Sequence, residues 1–152
     1  MLTVRGRDEL LSSSPRELGA SRWIAVEQSR IEGFADVTDD HAWIHVDIER
    51  ARREMPGGRT IAHGFLSLSL LPKLLDDLIR VEGVDKGYNY GLEGLRFLAP
   101  VPSGARIRLV GTLESTEARG ARDVRVVYDC RLEIEGAERP AIVAKWLALY
   151  VF

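Results

Sequence analysis

A single cysteine among 152 residues, Cys130, rules out an intrachain disulfide and any cysteine-based zinc cluster, and it fits a reducing compartment. Proline is sparse at 6 and no segment is of low complexity, which excludes collagen-like and disordered chains. An excess of charge of one sign is also missing. The 21 basic residues are interspersed with 23 acidic ones for a net charge of −2, so nothing electrostatic points to a nucleic-acid backbone as partner. The longest apolar-rich stretch, Ile61 to Leu75, is interrupted by His63, Ser67, Ser69, Pro72 and Lys73 and is shorter than the ~20 residues a membrane-spanning helix needs. The start of the chain, Met1 to Asp8, has no continuous apolar core of the signal-peptide kind. The expectation is a cytoplasmic protein with neither nucleic acid nor membrane as partner.

What is present is an ordinary globular composition, 45% hydrophobic and 29% charged, read as a single domain over residues 1–152 with residues 1–20 as an N-terminal extension or helix. A chain this long buries roughly 68–70% of its unfolded surface and needs no metal or disulfide to hold a core. The hydrophobic period divides it in two. Residues 27–38 carry Ile31, Phe34, Ala35 and Val37 on one side of a helix, and Ile48 to Met55 form a second, charged helix stopped by Pro56-Gly57-Gly58. From Ala62 to about Arg80, apolar residues cover most of a helix circumference, which predicts burial along most of its length, and Pro72 inside the run predicts a kink or a break near Leu68. After residue 87 the period becomes two. Strands are expected near 88–97, 105–117, 122–134 and 140–151, joined in succession as antiparallel neighbours. One apolar helix and one long one-faced sheet combine most simply when the sheet curls around the helix, an α+β arrangement.

Three features could carry chemistry: Asp40 with His45 five positions later, Ile61-Ala62-His63-Gly64 opening the apolar helix, and the run from Gly91 to Gly104. Asp and His at such spacing supply a proton acceptor and a donor. The first turn of a helix offers unpaired amides and a positive dipole end, and glycine at position 64 lets a substrate approach the backbone. The same residues also have plainer readings, Asp40 as a turn former and His45 as a core histidine. His41 and His45 are four apart and could face one metal, but Ala42 stands where a zinc-protease motif has glutamate, so no metal is expected. Gly57-Gly58 and Gly91 with Gly94 fit neither a phosphate loop nor a dinucleotide fingerprint, so no cofactor is expected. Ser67 and Ser69 lack the elbow of a serine hydrolase. Cys130 falls on the apolar face of its strand and reads as core. Arg50, Arg52, Arg53 and Arg59 read as a solvated face that could also meet phosphate.

Taken together, Asp40, His41, Ala42, Trp43, Ile44, His45 and then Ala51, with His63-Gly64-Phe65 and Leu95-Arg96-Phe97, resemble the MaoC-like dehydratases, the R-specific enoyl-CoA hydratase family, and within it the branch of nodulation protein N. The likeness covers about residues 20–150. Ala42 and Trp43 depart from the commoner Asn-Pro of that signature. The resemblance implies a hotdog fold, reversible hydration of trans-2-enoyl thioesters carried on coenzyme A, and Asp40, His45 and the Gly64 amide as the catalytic set. Trp43, Ile44, His63, Phe65, Leu68 and Ser69 are then the residues expected along the acyl chain. Two rival functions are a hotdog thioesterase with Asp40 activating water, and a non-catalytic acyl-thioester-binding module. A homodimer is expected because the strand over 142–151 is apolar on both faces.

Overall fold

The computed structural model describes residues Met1 to Phe152. In chain order the elements are β1 (Leu2–Arg5), α1 (Gly6–Leu11), β2 (Arg16–Ala20), β3 (Ile24–Ala25), α2 (Gln28–Thr38), α3 (Trp43–Val46), α4 (Ile48–Glu54), α5 (Gly64–Ser69), α6 (Leu71–Leu75), β4 (Ile79–Glu82), β5 (Lys86–Phe97), β6 (Arg106–Arg119), β7 (Asp123–Ile134) and β8 (Ile142–Val151). A 3-10 turn over Pro56–Gly58 follows α4, with Gly57 at φ 76°, a conformation that favours glycine.

The period-two half forms the main sheet, in the order β2-β6-β7-β8-β5, with β3 also paired to β6 and all contacts antiparallel. Alternation explains its two faces. Val124, Val126, Tyr128, Cys130 and Leu132 of β7 are buried, while the outward side chains pair with one another, as in Arg108–Glu133 at 2.8 Å and Lys145–Glu114. The four long strands are where the sequence places them, but their order is not a simple succession. β5 pairs with β8 and not with β6. The segment between β5 and β6 is used elsewhere: Pro100 and Pro102 have no N–H to donate to a ladder, and the Val101 carbonyl is taken by the Ala62 amide at 2.8 Å.

The sheet curves around a pair of short helices in place of one long helix over 62–80. The break falls at Leu70, with Pro72 in the first turn of α6, where a missing N–H costs nothing. Leu78 closes the apolar run as core, and Ile79 opens β4, which pairs in parallel with β1 in a small second sheet. Leu66, Leu71, Leu74 and Leu75 face the core with Leu109, Leu113, Leu132 and Ile142, each such burial contributing about 1.5–3 kcal/mol. The other side of the helix pair is open, with Phe65 67% exposed, so burial is one-sided and not all round.

Residues 1–20 also differ from an extension or a helix. Only Gly6–Leu11 is helical; β1 and β2 belong to the two sheets. On α2, Ile31 and Ala35 are buried as the pattern predicts, but Val37 is 80% exposed. The helix stops just beyond, at Asp39, which adopts the left-handed conformation (φ 56°) that aspartate tolerates better than most residues.

Candidate active site

That turn at Asp39 delivers Asp40 to the end of α3. A single helical turn, α3 carries His45, whose amide bonds the Ala42 carbonyl at 2.9 Å. The backbone at Thr60 to Ala62 is laced down on both sides. Ile61 N–H donates to the Ile44 carbonyl at 3.0 Å and Ala62 N–H to the Val101 carbonyl at 2.8 Å, while the Thr60 carbonyl accepts from Ser103. His63 and Gly64 are thereby placed against His45, although 18 residues separate His45 and His63 in sequence.

Hydrogen bonding fixes which nitrogen of each ring carries a hydrogen. His45 Nδ1 lies 2.6 Å from the Ile61 carbonyl oxygen. A carbonyl only accepts, so Nδ1 carries the hydrogen and Nε2 of the neutral ring keeps its lone pair. By the same reasoning His63 Nε2 donates to the Asp40 backbone carbonyl at 2.9 Å, which ties down the residue bearing the carboxylate. The two imidazoles stack with centroids 3.7 Å apart and planes at 27°, and Phe34 abuts the outer ring at 5.0 Å. His63 Nδ1 is buried without a partner. Gln28 donates to the His45 carbonyl at 2.9 Å and accepts from the Thr60 hydroxyl. Neither Gln28 nor Thr60 was legible as a site residue, because their contribution lies wholly in contacts across the fold.

His45, Gly64, Ser67, Phe97, Ala99 and Ile142 line a pocket of about 270 Å³. The Gly64 N–H is the first of α5 and donates to no protein acceptor. A second hollow of about 370 Å³ lies alongside, walled by Phe65, Leu68, Ser69, Leu71, Leu92 and Trp146. Phe65, Leu68 and Ser69 therefore line one hollow together. Trp43, Ile44 and His63, also expected along the acyl chain, line neither hollow, and Asp40 lies outside both linings. Arg50 sits over the Trp43 ring at 4.0 Å, and Ile44 contributes its carbonyl to the Ile61 amide.

Asp40, His45 and His63 offer ligand atoms within 4.8 Å of one another, so a metal has to be considered. The ring lone pairs lie in the ring planes. Two nearly parallel stacked rings direct them side by side and do not converge on one ion at the 2.0–2.1 Å that zinc requires. His41 turns away altogether, its Nε2 2.9 Å from Asp36 Oδ1. The geometry suits proton transfer and not metal binding.

The groups whose protonation burial displaces most stand elsewhere. Burial pushes the Cys130 thiol up to about 12 and the Tyr128 hydroxyl well above its usual range, with Tyr150, its partner at 3.0 Å, also raised. These groups lie on the sheet, and none of them lines the pocket with His45. Arg96 is exposed and its guanidinium returns to the Leu95 carbonyl at 2.7 Å.

A MaoC like domain matches residues 12–132 of this chain. The chain belongs to that family. It is 42% identical over 151 residues to 3-hydroxyacyl-thioester dehydratase Z of Mycobacterium tuberculosis, covering 99% of each. It is 44% identical over 138 residues to nodulation protein N of Rhizobium leguminosarum bv. viciae, covering 90% of this chain and 86% of the relative. Among solved structures, a monoamine oxidase regulatory protein from Archaeoglobus fulgius superposes with TM-score 0.75 at 21% identity, over 99% of this chain and 98% of the other. An (R)-hydratase from A. caviae gives 0.66 at 19% identity over 88% and 93%. These likenesses establish the hotdog fold of the MaoC-like family. The family match begins at residue 12, inside the segment read from sequence as an extension.

Proposed function

We propose that this protein reversibly hydrates trans-2-enoyl thioesters to R-3-hydroxyacyl thioesters, with coenzyme A as the carrier. The observation that carries the reading is the tautomer of His45: with Nδ1–H held by the Ile61 carbonyl, Nε2 is an acceptor, and Asp40 stands within reach of the same space. The family membership and the 3-hydroxyacyl-thioester dehydratase relative support it.

Water held between Asp40 and His45 attacks C3. His45 Nε2 accepts one proton as the oxygen bonds to C3, and the displaced π pair makes an enolate whose oxygen is received by the Gly64 N–H. The proton taken up by His45 then passes by way of the Asp40 carboxylate to C2, the thioester carbonyl reforms and both side chains return to their starting states. Hydroxyl on C3 and hydrogen on C2 together account for the water added. Every step is a proton transfer or an addition, so the chemistry calls on no cofactor or metal.

A homodimer and a cytoplasmic location complete the proposal. The location rests on the lone buried thiol. The dimer rests on β5, an edge strand of 12 residues that leaves Tyr88, Tyr90 and Leu92 exposed. On the outer side of β8, Leu147 is already buried beside Val127 of β7, while Val143, Leu149 and Val151 are half-buried, so the two-faced pattern of β8 adds less to the reading than the β5 edge does. Light scattering at micromolar concentration should report twice the chain mass of 17.0 kDa; a single-chain mass removes the dimer.

The deciding assay incubates purified protein with crotonyl-CoA and longer enoyl-CoAs. Loss of the conjugated absorbance without free thiol is the expected result. Thiol release would make the protein a thioesterase, and binding without either change would make it a carrier of thioesters.

A further inference from the structure

The two hollows share no lining residue, yet they are neighbours. What stands between them is an aromatic pair: Phe97 lines the pocket with His45, Phe65 lines the apolar groove, and the two rings meet edge to face with centroids 5.8 Å apart. Phe97 also lies directly over the residue that offers the oxyanion amide. A Cβ built on Gly64 would come within 2.9 Å of two Phe97 ring carbons, a distance real Cβ atoms essentially never show. Gly64 is thus glycine for a second reason besides substrate approach, because the phenyl ring occupies the place of its side chain.

The backbone carrying that ring is fixed. Phe97 stands opposite Ile142 on the inner face of the sheet, and the next amide, Leu98, donates to the Ala141 carbonyl at 2.8 Å. The ring itself is 46% exposed, so it can rotate without moving the strand. Beyond it the groove continues between the open side of α5–α6 and the β5–β8 edge, with Leu68, Leu71, Leu92 and Trp146 as apolar walls.

We propose that Phe97, braced by Phe65, is the partition between the catalytic pocket and the apolar groove and sets the length of acyl chain the enzyme accepts. This rests on the hydration reading above. Short enoyl chains fit within the pocket of about 270 Å³ with the ring in place. Longer chains enter the groove of about 370 Å³ only when the ring swings aside. Phe97 is a specificity residue: it touches the acyl chain and Gly64 and transfers no proton.

The test compares wild type with Phe97→Ala, Phe97→Leu and Phe97→Trp in two assays. One measures kcat/KM for four-, eight- and twelve-carbon enoyl-CoAs; the other measures by calorimetry the affinity for the unreactive butanoyl-CoA and dodecanoyl-CoA. A single methylene in an apolar pocket discriminates by roughly tenfold or more, so Phe97→Ala should raise the twelve-to-four-carbon ratio of kcat/KM by at least about tenfold. Phe97→Leu should raise it less, and Phe97→Trp should lower it. The affinity ratio of the saturated thioesters should follow the same order. Equal change at every length in both assays overturns the proposal, and would mean that the ring only supports Gly64 or that the groove takes the pantetheine arm common to all substrates. Should the alanine variant fail to fold, the leucine and tryptophan variants keep an apolar side chain and move the ratio in opposite directions, which decides the matter without it. Affinity ratios that track ring size in a protein unable to hydrate any enoyl-CoA would leave the partition standing and remove the hydratase reading.

Discussion

Between β6 and β8 each strand is held by a ladder of backbone pairs running almost its whole length, from Ile107↔Ile134 to Arg119↔Asp123 and from Asp123↔Val151 to Leu132↔Ile142. From Gln28 to Ser69, by contrast, the longest helix has 11 residues and the functional groups are placed by single hydrogen bonds: Gln28 to His45, His45 to Ile61, His63 to Asp40. The ladder region is redundant, and losing one contact there leaves the rest in place. In the helical region each contact has a distinct task. Strongly displaced protonation therefore marks the wrong half of this molecule, since Tyr128 and Cys130 are perturbed chiefly by burial in the sheet.

The sharpest way to break the contrast is to remove the proton-transfer groups. Asp40→Asn and His45→Gln should each lower kcat/KM for crotonyl-CoA by about 10²–10⁴-fold. Asp40 is exposed and Asp40→Asn should leave the melting temperature unchanged, whereas His45 is buried. His45→Ala should also lose stability, by about 1–3 kcal/mol, because the buried Ile61 carbonyl loses its donor. Urea titration alongside the rate assay separates the two effects. Near-wild-type turnover by either variant removes the dyad.

A core substitution on the sheet should do the opposite. Leu109→Ala deletes a fully buried side chain of β6 and should lower unfolding free energy by about 2–5 kcal/mol. The folded fraction should keep its kcat/KM, since Leu109 lines neither hollow. A loss of turnover at full occupancy of the native state would show that the two regions are coupled.

Much of this was legible in the residues. The strands over β5 to β8 announce themselves by alternation, and Pro72 marks the break between α5 and α6. Asp40, His45 and Gly64 were named from a local motif; in the structure Asp40 and His45 offer atoms within 4.8 Å of one another, and His45 shares a pocket lining with Gly64. What escaped is what no local pattern encodes. Strand order depends on the Pro100–Pro102 segment serving as an anchor for Ala62 and not as a turn. The parallel pair of β1 with β4 joins short strands 77 residues apart in register. Phe97 looks from sequence like one more apolar strand residue, and only the packing puts it over Gly64, 33 positions away.

A smaller effect sharpens the contrast through pH. An unfolded cysteine ionises near 8.5, and Cys130 in the folded protein ionises only at about 12. Between those values the unfolded chain has given up a proton that the native chain retains, so stability falls as pH rises through this window and is untouched below it. The slope due to this thiol is about 1.4 kcal/mol per pH unit. Denaturant titrations of wild type and Cys130→Ala at pH 7.5 and 9.5 should therefore show a wild-type loss larger by about 1 kcal/mol. Equal losses in the two proteins would mean the thiol titrates in the folded state.

The smallest expected effect concerns Trp43, which the family signature places beside His45 and the structure places beneath Arg50. The guanidinium lies 4.0 Å from the ring centroid on the neighbouring helix α4, an arrangement worth about 0.5–1 kcal/mol where, as here, the cation is half-exposed. Because Arg50 also pairs with Glu54 at 2.9 Å, a single substitution would mix the ring contact with the ion pair. A double-mutant cycle isolates it. Wild type, Trp43→Leu, Arg50→Gln and the double variant should give a coupling of about 0.5–1 kcal/mol in unfolding free energy. Trp43→Leu should also leave the ratio of kcat/KM for twelve- and four-carbon enoyl-CoAs unchanged, the opposite of the shift expected at Phe97. A ratio that moves with Trp43 and a coupling near zero would together return the indole to the acyl path, and the pocket would then extend under α3 and not along α5 and α6.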